Sequence, residues 1–423
     1  MRKKILVLAA PFPRYNLTGF RDWLLEGKSP SGMPAIVSFL RESYKLGHEV
    51  HITLPVFERN IKCKSFVHED HLIVHPYRLP SFFLLIIYIL LRKGSFLLDH
   101  FFALITLIYS FGFHKRLLSR LHPHFIYQMG FNIVLGYFLH KSSERPLINR
   151  YFGTHIWKRL KPSSNKKISL WQGFRNFPEI FNYSHYGNLV VMVNDGTRGD
   201  KVLEVFGVPE GKILFLLNGL DLEDNESCLD IRSMFPPDVF LVVAMARLVS
   251  WKGIDRILRA LPEAFEYVPE LKLVVIGDGR QRKMLESLAE TLGVSSAVRF
   301  VGHVSHTKAV NTLKQADLFI SVQYLSNLSN CLLEAILAGL PIISLADGSL
   351  DGLLEDGEDS VLLDPHNVER ELPQTIKKLA RNKTFYRHLR RGIKKKREEI
   401  WTWHDRISFE LRTIERIISK GKQ

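Results

Sequence analysis

Residues 317–344 constrain the fold of this chain more than any other part of its sequence. Two apolar runs, one at residues 317–322 and one opening at Pro341, contain the β-branched side chains typical of strands buried in a parallel sheet. Between them, residues 332–338 are apolar on nearly every face, and they are followed by Gly339 and Pro341, which commonly end helices. The stretch therefore predicts strand, loop, helix, turn and strand, as in a parallel α/β sheet.

The entrance of this predicted helix is polar. Ser326, Asn327, Ser329 and Asn330 are all favourable N-cap residues, and the amides and dipole at a helix N-terminus attract anions. Glu334 lies about one turn further along. Its carboxylate has two open interpretations: it complements the helix dipole, or it accepts hydrogen bonds from ligand hydroxyls beside the anion.

Composition and charge limit the possible partners. With 423 residues, 46% hydrophobic and 24% charged, the chain is long enough for about two or three globular domains. Three scattered cysteines without metal or disulfide spacing favour a reducing, cytosolic compartment and no bound metal: Cys63, Cys228 and Cys331. The net charge of +15 calls for a polyanionic partner, and residues 377–422 hold 16 Lys and Arg against 5 acids. No signature of a nucleic-acid-binding module accompanies them, so we expect a membrane surface or phosphorylated small molecules, or only a solvated helical face.

Two very apolar segments, residues 81–91 and 96–113, are separated by Arg92 and Lys93. Neither reaches the roughly 20 uninterrupted apolar residues of a membrane-spanning helix. They are interpreted either as core helices or as helices that also contact a bilayer surface. Three cations would then meet the head groups: Lys115, Arg116 and Arg120.

Strands and helices alternate along the chain. Residues 4–9, 35–46 and 50–54 read as strand, helix and strand, with a Pro- and Gly-rich loop at 11–34. Further strands are predicted at 124–128, 146–151, 189–193 and 213–217. After linker-like residues 223–237, strands are predicted at 239–244, 272–276, 298–301, 317–322 and 360–363, and helices at 254–261, 280–291 and 307–315. This predicts two doubly wound α/β domains, residues 1–225 and 226–404, with a C-terminal helix in 405–423.

Ligands of such sheets bind beyond the carboxyl ends of the strands. The loop after the first strand of the second domain carries Arg247 and Lys252, which suit a diphosphate unless they are ordinary surface cations. Gly277 opens a tight turn after the next strand, and Gly302 ends another with backbone groups able to meet a base. Together with Glu334, these residues describe a nucleotide diphosphate site.

These motifs succeed one another as in the family 4 retaining glycosyltransferases of GT-B fold, which the chain resembles along most of its length. The matching residues are Arg247, Lys252-Gly253, Gly277-Asp278-Gly279, Phe300-Val301-Gly302, Ala316-Asp317, Leu333-Glu334-Ala335, Gly339-Leu340-Pro341 and Asn218-Gly219-Leu220-Asp221. The resemblance implies two Rossmann-like domains facing across a cleft, with the acceptor on the N-terminal domain and the donor on the C-terminal one. It also implies that the last helix crosses back onto the N-terminal domain.

The resemblance further implies residue roles. Arg247 and Lys252 would bind the donor diphosphate and stabilise its developing charge without a metal ion, and Glu334 would bind the ribose hydroxyls. The remaining implied positions are the amides of Leu328 and Ser329 with Ser326 and Asn327 at the donor sugar, Gly277 and Gly302 at the nucleotide, and Gly32 near the reaction centre.

Two positions depart from the family pattern. Ser326 stands where the family usually has the first acid of Glu-x7-Glu, so a hydrogen-bonding group remains but a charge is lost. Phe152-Gly153-Thr154 replaces the family's His-Gly-Thr, and His155 follows directly. His155 either serves the reaction centre from a shifted position or is an ordinary polar loop residue.

The combined features predict a glycosyltransferase that moves a sugar from a nucleotide-diphosphate donor to a lipid-linked or envelope-glycan acceptor, with no further cofactor. The cationic C-terminal helices and apolar segments would hold it at the cytoplasmic face of an anionic membrane. Two alternatives remain: a sugar-nucleotide epimerase, and a non-catalytic protein that binds a nucleotide sugar or supports a partner transferase.

Overall fold

The computed structural model describes residues 2–9, 17–28, 34–57, 63–69, 72–81, 83, 97–130, 133–157, 170–220, 228–304 and 306–420. The chain divides into two compact units. Unit 1 comprises Met1–Asn194, Arg198–Asn218 and Trp403–Gln423, and unit 2 comprises Asp195–Thr197 and Gly219–Thr402. The predicted site position Gly32 lies outside the described residues.

The strands are β1 Lys4–Ala9, β2 Glu49–Val56, β3 Phe66–His68, β4 Leu72–Arg78, β5 Phe125–Met129, β6 Leu147–Tyr151, β7 Leu189–Val193, β8 Ile213–Leu216, β9 Phe240–Met245, β10 Leu271–Ile276, β11 Val298–Gly302, β12 Leu318–Ile320, β13 Ile342–Leu345 and β14 Ser360–Leu363. The helices are α1 Leu17–Glu26, α2 Pro34–Lys45, α3 Leu97–Leu121, α4 Leu135–Ser143, α5 Leu170–Arg175, α6 Phe177–Ser184, α7 Gly199–Val205, α8 Ile254–Tyr267, α9 Arg282–Thr291, α10 His306–Leu313, α11 Asn330–Ala338, α12 Val368–Arg381, α13 Lys383–Arg397 and α14 Trp403–Lys420.

Each unit contains a predominantly parallel sheet. In unit 1 the described strands have the order β3-β4-β2-β1-β5-β6-β7-β8, with β3 antiparallel to β4 at the edge. In unit 2 the order is β11-β10-β9-β12-β13-β14, and every neighbouring pair is parallel. In each sheet the first strand of the unit, β1 or β9, lies in the interior, and later strands are added on both sides of it. The strands are largely buried, as expected where helices cover both faces of a sheet. The predicted pair of doubly wound α/β units is confirmed.

Helix α1 corrects the prediction of an uninterrupted loop at residues 11–34. Phe20, Trp23 and Leu24 are all buried and recur at the spacing of one helical face. They join the core around β1 and β2, and the indole nitrogen of Trp23 donates to Glu69 at 2.9 Å. The proline- and glycine-rich flanks concealed this helical pattern.

Helix α3 runs for 25 residues and so extends beyond the second apolar segment, whereas most of the first segment lies outside the described residues. Ala103 and Ile105 are buried, while Leu104 and Ile108 are 56% and 62% exposed. Within the part of the chain that the structure describes, no helix has the length and apolarity needed to cross a membrane.

Helix α14 belongs to unit 1 and packs against α2. Trp403, Ile407 and Leu411 form its buried apolar face. The buried Arg406 donates through Nη1 to Glu410, and burial lowers the pKa of Arg406 to about 9. Pairing these charges offsets the cost of removing them from water.

Candidate functional site

The strand order of unit 2 identifies where its ligand site should lie. The direction in which strands are added reverses between β9 and β12, and ligands of doubly wound sheets bind at such a switch point, beyond the carboxyl ends of the strands. Two loops meet that condition, residues 246–253 after β9 and residues 321–329 between β12 and α11. They contain most of the predicted donor-site residues.

The loop after β9 is fixed to the turn after β10 by backbone contacts. The amide of Leu248 donates to the carbonyl of Asp278 at 2.9 Å, and that of Gly277 donates to Gly302 at 2.7 Å. A Cβ added at Gly277, where φ is +133°, would lie 1.9 Å from the carbonyl oxygen of Ala246. Gly277 and Gly302 therefore lie together, and the close approach that Gly277 permits is to the chain's own backbone. Their contact with a nucleotide remains a prediction.

Lys252 is joined to the loop after β12. Its Nζ donates to Oε1 of Gln323 at 2.6 Å, and Nε2 of Gln323 in turn donates to the hydroxyls of Ser321 at 3.1 Å and Ser329 at 3.4 Å. Burial lowers the pKa of Lys252, and the positive charge of Arg247 lowers it further. Arg247 itself is exposed on the same loop.

Asn327 organises the loop that precedes α11. Its side chain is fully buried, with Oδ1 accepting from the Gln323 amide at 2.8 Å and Nδ2 donating to Asp347 at 3.0 Å. The Asn327 amide donates to the hydroxyl of Ser349 at 2.9 Å. These contacts give Asn327 a structural role, and its contact with a donor stays a prediction.

The start of α11 agrees with the predicted polar entrance. Ser329 is the N-cap, and its hydroxyl accepts a hydrogen bond from the amide of Leu332 at 3.3 Å. Leu328, which precedes the cap, is buried. Glu334 lies in the body of the helix and is only 2% exposed. Burial, and next the charge of Glu334, raises the pKa of the neighbouring Cys331 to about 12, which keeps this thiol protonated.

Ser326 contacts a short segment that also belongs to unit 2, residues 195–197. The Ser326 hydroxyl donates to the carbonyl oxygen of Asp195 at 2.5 Å. A Cβ on Gly196, where φ is +74°, would lie 2.5 Å from Oγ of Ser326 and 2.6 Å from Cβ of Ser349. The hydroxyl at position 326 therefore holds a second loop against the polar entrance.

His155 lies in unit 1, so it belongs to a different compact unit from Arg247 and Lys252. It follows β6 on a loop anchored by the buried Glu179, whose Oε1 accepts from the His155 amide at 3.0 Å and from the Thr154 hydroxyl at 2.5 Å. The ring of His155 is exposed. A role for His155 in a reaction remains a prediction.

Several residues of this network were not predicted from the sequence: Gln323, Asp347, Ser349, Asp195 and Glu179. Asp347 and Ser349 directly follow β13, so reading every loop after a strand would have found them. Asp195 and Gln323 also follow strands, β7 and β12, but no local pattern in the sequence indicates which residue each of them contacts.

Comparison with known proteins bears directly on this site. Residues 231–397 match the family model of glycosyl transferases group 1. A Methanocaldococcus jannaschii protein described as an uncharacterized glycosyltransferase is 26% identical over 295 residues, which are 68% of this chain and 73% of the relative. The lipopolysaccharide core biosynthesis glycosyltransferase LpsE of Rhizobium meliloti is 32% identical over 134 residues, 32% of this chain and 38% of its own length. These matches support the group 1 glycosyltransferase superfamily and glycosyltransferase activity.

The solved structure of Anabaena HepE in complex with UDP has a fold similar to that of this chain. It superposes with a TM-score of 0.67 at 16% identity, covering 97% of this chain and 100% of HepE. At this level of identity the likeness concerns the fold alone. The architecture is that of the GT-B glycosyltransferases, with two Rossmann-like domains.

Proposed function

We propose that this protein is a retaining glycosyltransferase of family 4 that transfers a hexosyl group from a nucleotide-diphosphate sugar. The observation that carries the proposal is the position of Lys252, at the switch point of a unit whose residues 231–397 match glycosyl transferases group 1. HepE, with its bound UDP, supports a nucleotide donor. Unit 2 would bind the donor and unit 1 the acceptor.

Arg247 and Lys252 would stabilise the charge that develops on the departing nucleoside diphosphate. Lys252 is held by a neutral amide, so its positive charge is not cancelled by a carboxylate partner at that contact. The amides of Leu328 and Ser329, at the entrance of α11, would add donors to the same anion. Glu334 would accept hydrogen bonds from the ribose hydroxyls. This charge stabilisation requires no metal ion or further cofactor.

The acceptor would be a lipid-linked or envelope glycan. The similarity to LpsE, a lipopolysaccharide core glycosyltransferase, supports this class of acceptor. On unit 1, His155 would take part in the reaction. Ser326, Asn327, Gly277 and Gly302 would complete the donor site on unit 2.

We further propose peripheral association with the cytoplasmic face of an anionic membrane. Helix α13 carries a row of exposed cations that includes Arg390, Lys394 and Lys395. On unit 1, the exposed Leu104 and Ile108 of α3 are followed on the same helix by exposed cations. Apolar and cationic side chains on one helix suit a bilayer surface.

A donor panel tests the enzymatic proposal. The purified 423-residue chain would be incubated with UDP-glucose, UDP-N-acetylglucosamine, GDP-mannose and ADP-glucose, with and without membrane lipid extract as acceptor. Release of nucleoside diphosphate from one donor, with the anomeric configuration of the product retained, is the expected result. Binding of a nucleotide sugar without turnover would instead indicate a non-catalytic binding protein, and interconversion of the sugar would indicate an epimerase.

A further inference from the structure

Three consecutive residues, flanked on both sides by unit 1, belong to unit 2. Unit 1 contains β7 and α7, but the residues that connect them, Asp195–Thr197, belong to unit 2. The backbone of this segment lies against the polar loops that precede α11 and follow β13. Nothing in the strand and helix pattern of the sequence indicates that this connection leaves its unit.

Two contacts fix the segment against the candidate donor site. The Ser326 hydroxyl donates to the Asp195 carbonyl oxygen at 2.5 Å, and Gly196 packs so tightly on Ser326 and Ser349 that no Cβ fits. Ser349 is held in turn, because its hydroxyl donates to Asp347 at 2.5 Å. The backbone at Asp195 is therefore positioned by the same loops that hold the N-cap of α11.

The carboxylate of Asp195 is also oriented. Its Oδ1 accepts from the amide of Thr197 at 3.1 Å and from the Thr197 hydroxyl at 2.5 Å, and the residue is partly exposed. The negative charge of Asp195 counteracts part of the lowering of the Lys252 pKa. The carboxylate thus lies within electrostatic range of the cation assigned to the donor diphosphate.

We propose that Asp195 binds a hydroxyl of the donor sugar and so helps to determine which nucleotide sugar the site accepts. This inference rests on the proposed function. The chemistry is specific, because a carboxylate accepts strong hydrogen bonds from sugar hydroxyls, whereas the neutral Ser326 hydroxyl is occupied by a backbone carbonyl. A carboxylate in this position binds the sugar while Lys252 binds the diphosphate, so the two parts of the donor have separate partners.

The test separates charge from loop structure. Asp195→Asn keeps an oxygen able to accept from Thr197 but removes the charge, and Thr197→Ala removes the hydroxyl contact but keeps the carboxylate. Affinities for UDP and UDP-glucose, and for GDP and GDP-mannose, would be measured by calorimetry on the 423-residue chain. We expect Asp195→Asn to weaken the preferred nucleotide sugar about 10- to 100-fold while its nucleoside diphosphate binds within about twofold of wild type. Thr197→Ala should change both affinities much less.

Three results would overturn the assignment. Equal loss of nucleotide sugar and nucleoside diphosphate would mean that Asp195 acts on the diphosphate site or on loop structure. Unchanged affinities in Asp195→Asn would show that the carboxylate contacts no part of the donor. Failure of the wild-type protein to bind any of these nucleotides would reject the proposed function together with this inference, and so differs from a defect confined to the variant.

Discussion

The ammonium nitrogen of Lys252 lies 2.6 Å from Oε1 of Gln323, and this contact joins the loops that follow the two strands at the switch point of unit 2. Because Nε2 of Gln323 donates to Ser321 and Ser329, the orientation of its amide is fixed from both ends. The lysine is thereby positioned by side chains of the protein itself. A charge oriented beforehand needs little rearrangement when a diphosphate leaves, which is the arrangement that favours electrostatic stabilisation.

Replacement of Lys252 should remove catalysis and leave the fold intact. We expect Lys252→Met to lower kcat/KM by about 10²- to 10³-fold, because it removes a preorganised positive charge while keeping an aliphatic side chain of similar length. The exposed Lys283, changed to Met, is the matched control and should retain wild-type activity. Steady-state kinetics measures the activity of both variants, and circular dichroism checks that they are folded. Normal activity in Lys252→Met would show that Lys252 is not part of the site.

As the pH is raised, kcat/KM should begin to fall at a lower pH than it would if Lys252 had the usual pKa of a lysine. Burial lowers the pKa of Lys252 from its usual 10.5, so the free protein loses this charge as the pH rises through the lowered value. In Lys252→Arg the guanidinium stays charged, and the alkaline limb of the kcat/KM profile should move to higher pH. If the alkaline limb of the kcat/KM profile is the same in Lys252→Arg, a group other than Lys252 causes the decline in activity.

The lowered pKa of Lys252 also makes the free energy of unfolding depend on pH. Because the folded-state pKa of Lys252 is below its unfolded value, burial of the charged form destabilises the fold most below the folded pKa. This cost is relieved as the pH rises through that value. Denaturant unfolding of wild type and Lys252→Met at several alkaline pH values should therefore show a difference in stability that narrows with rising pH.

Glu334 should discriminate ribose from deoxyribose. Wild type is expected to bind UDP about 10- to 100-fold more tightly than 2′-deoxy-UDP, since a hydrogen bond to a charged acceptor is worth about 1.5–3 kcal/mol. Glu334→Gln should bind UDP more weakly and lose most of this preference. Calorimetric titration of both proteins with both nucleotides measures the coupling, and a preference that survives the substitution would assign the ribose to another residue.

Gly277 should be intolerant of any side chain. Gly277→Ala would place a Cβ 1.9 Å from the Ala246 carbonyl oxygen, so the loop carrying Arg247 must move, and we expect both a lower melting temperature and weaker nucleotide binding. Gly293 is the matched control, because it also has positive φ, +71°, but its Cβ would meet nothing within 4 Å. Gly293→Ala should cost only about 1 kcal/mol and leave nucleotide binding unchanged.

Membrane association should depend on the charge of α13. The triple variant Arg390→Gln, Lys394→Gln, Lys395→Gln should bind phosphatidylserine-containing vesicles about 100-fold more weakly, at about 1 kcal/mol per cation near the surface. Exposed cations elsewhere in unit 2 give a control of equal charge change: Arg259, Lys283 and Lys314. Sedimentation at low and high salt measures the effect. If vesicle binding weakens equally in the two triple variants, membrane association depends on the net charge of the protein and not on the cations of α13.

Much of the fold was predictable because local patterns dictate it. The apolar runs at β1 and β14 gave the ends of both strands, and Ser329 and Gly339 are the cap and stop residues their types indicate. Helix α1 was missed although Phe20, Trp23 and Leu24 have helical spacing, because turn-forming residues flank them. Among the site residues, Lys252 could be proposed from its loop, since the ends of parallel strands meet at one edge of a sheet.

The sequence by itself determined the alternation of strands and helices, the polar entrance of α11 and the cations after β9, because hydrophobic period and capping chemistry act over neighbouring residues. Only the tertiary structure decided that Lys252 donates to Gln323, that Asn327 donates to Asp347, and that Ser326 donates to Asp195. Those contacts join residues separated by 71, 20 and 131 positions, and each depends on packing that no local pattern encodes.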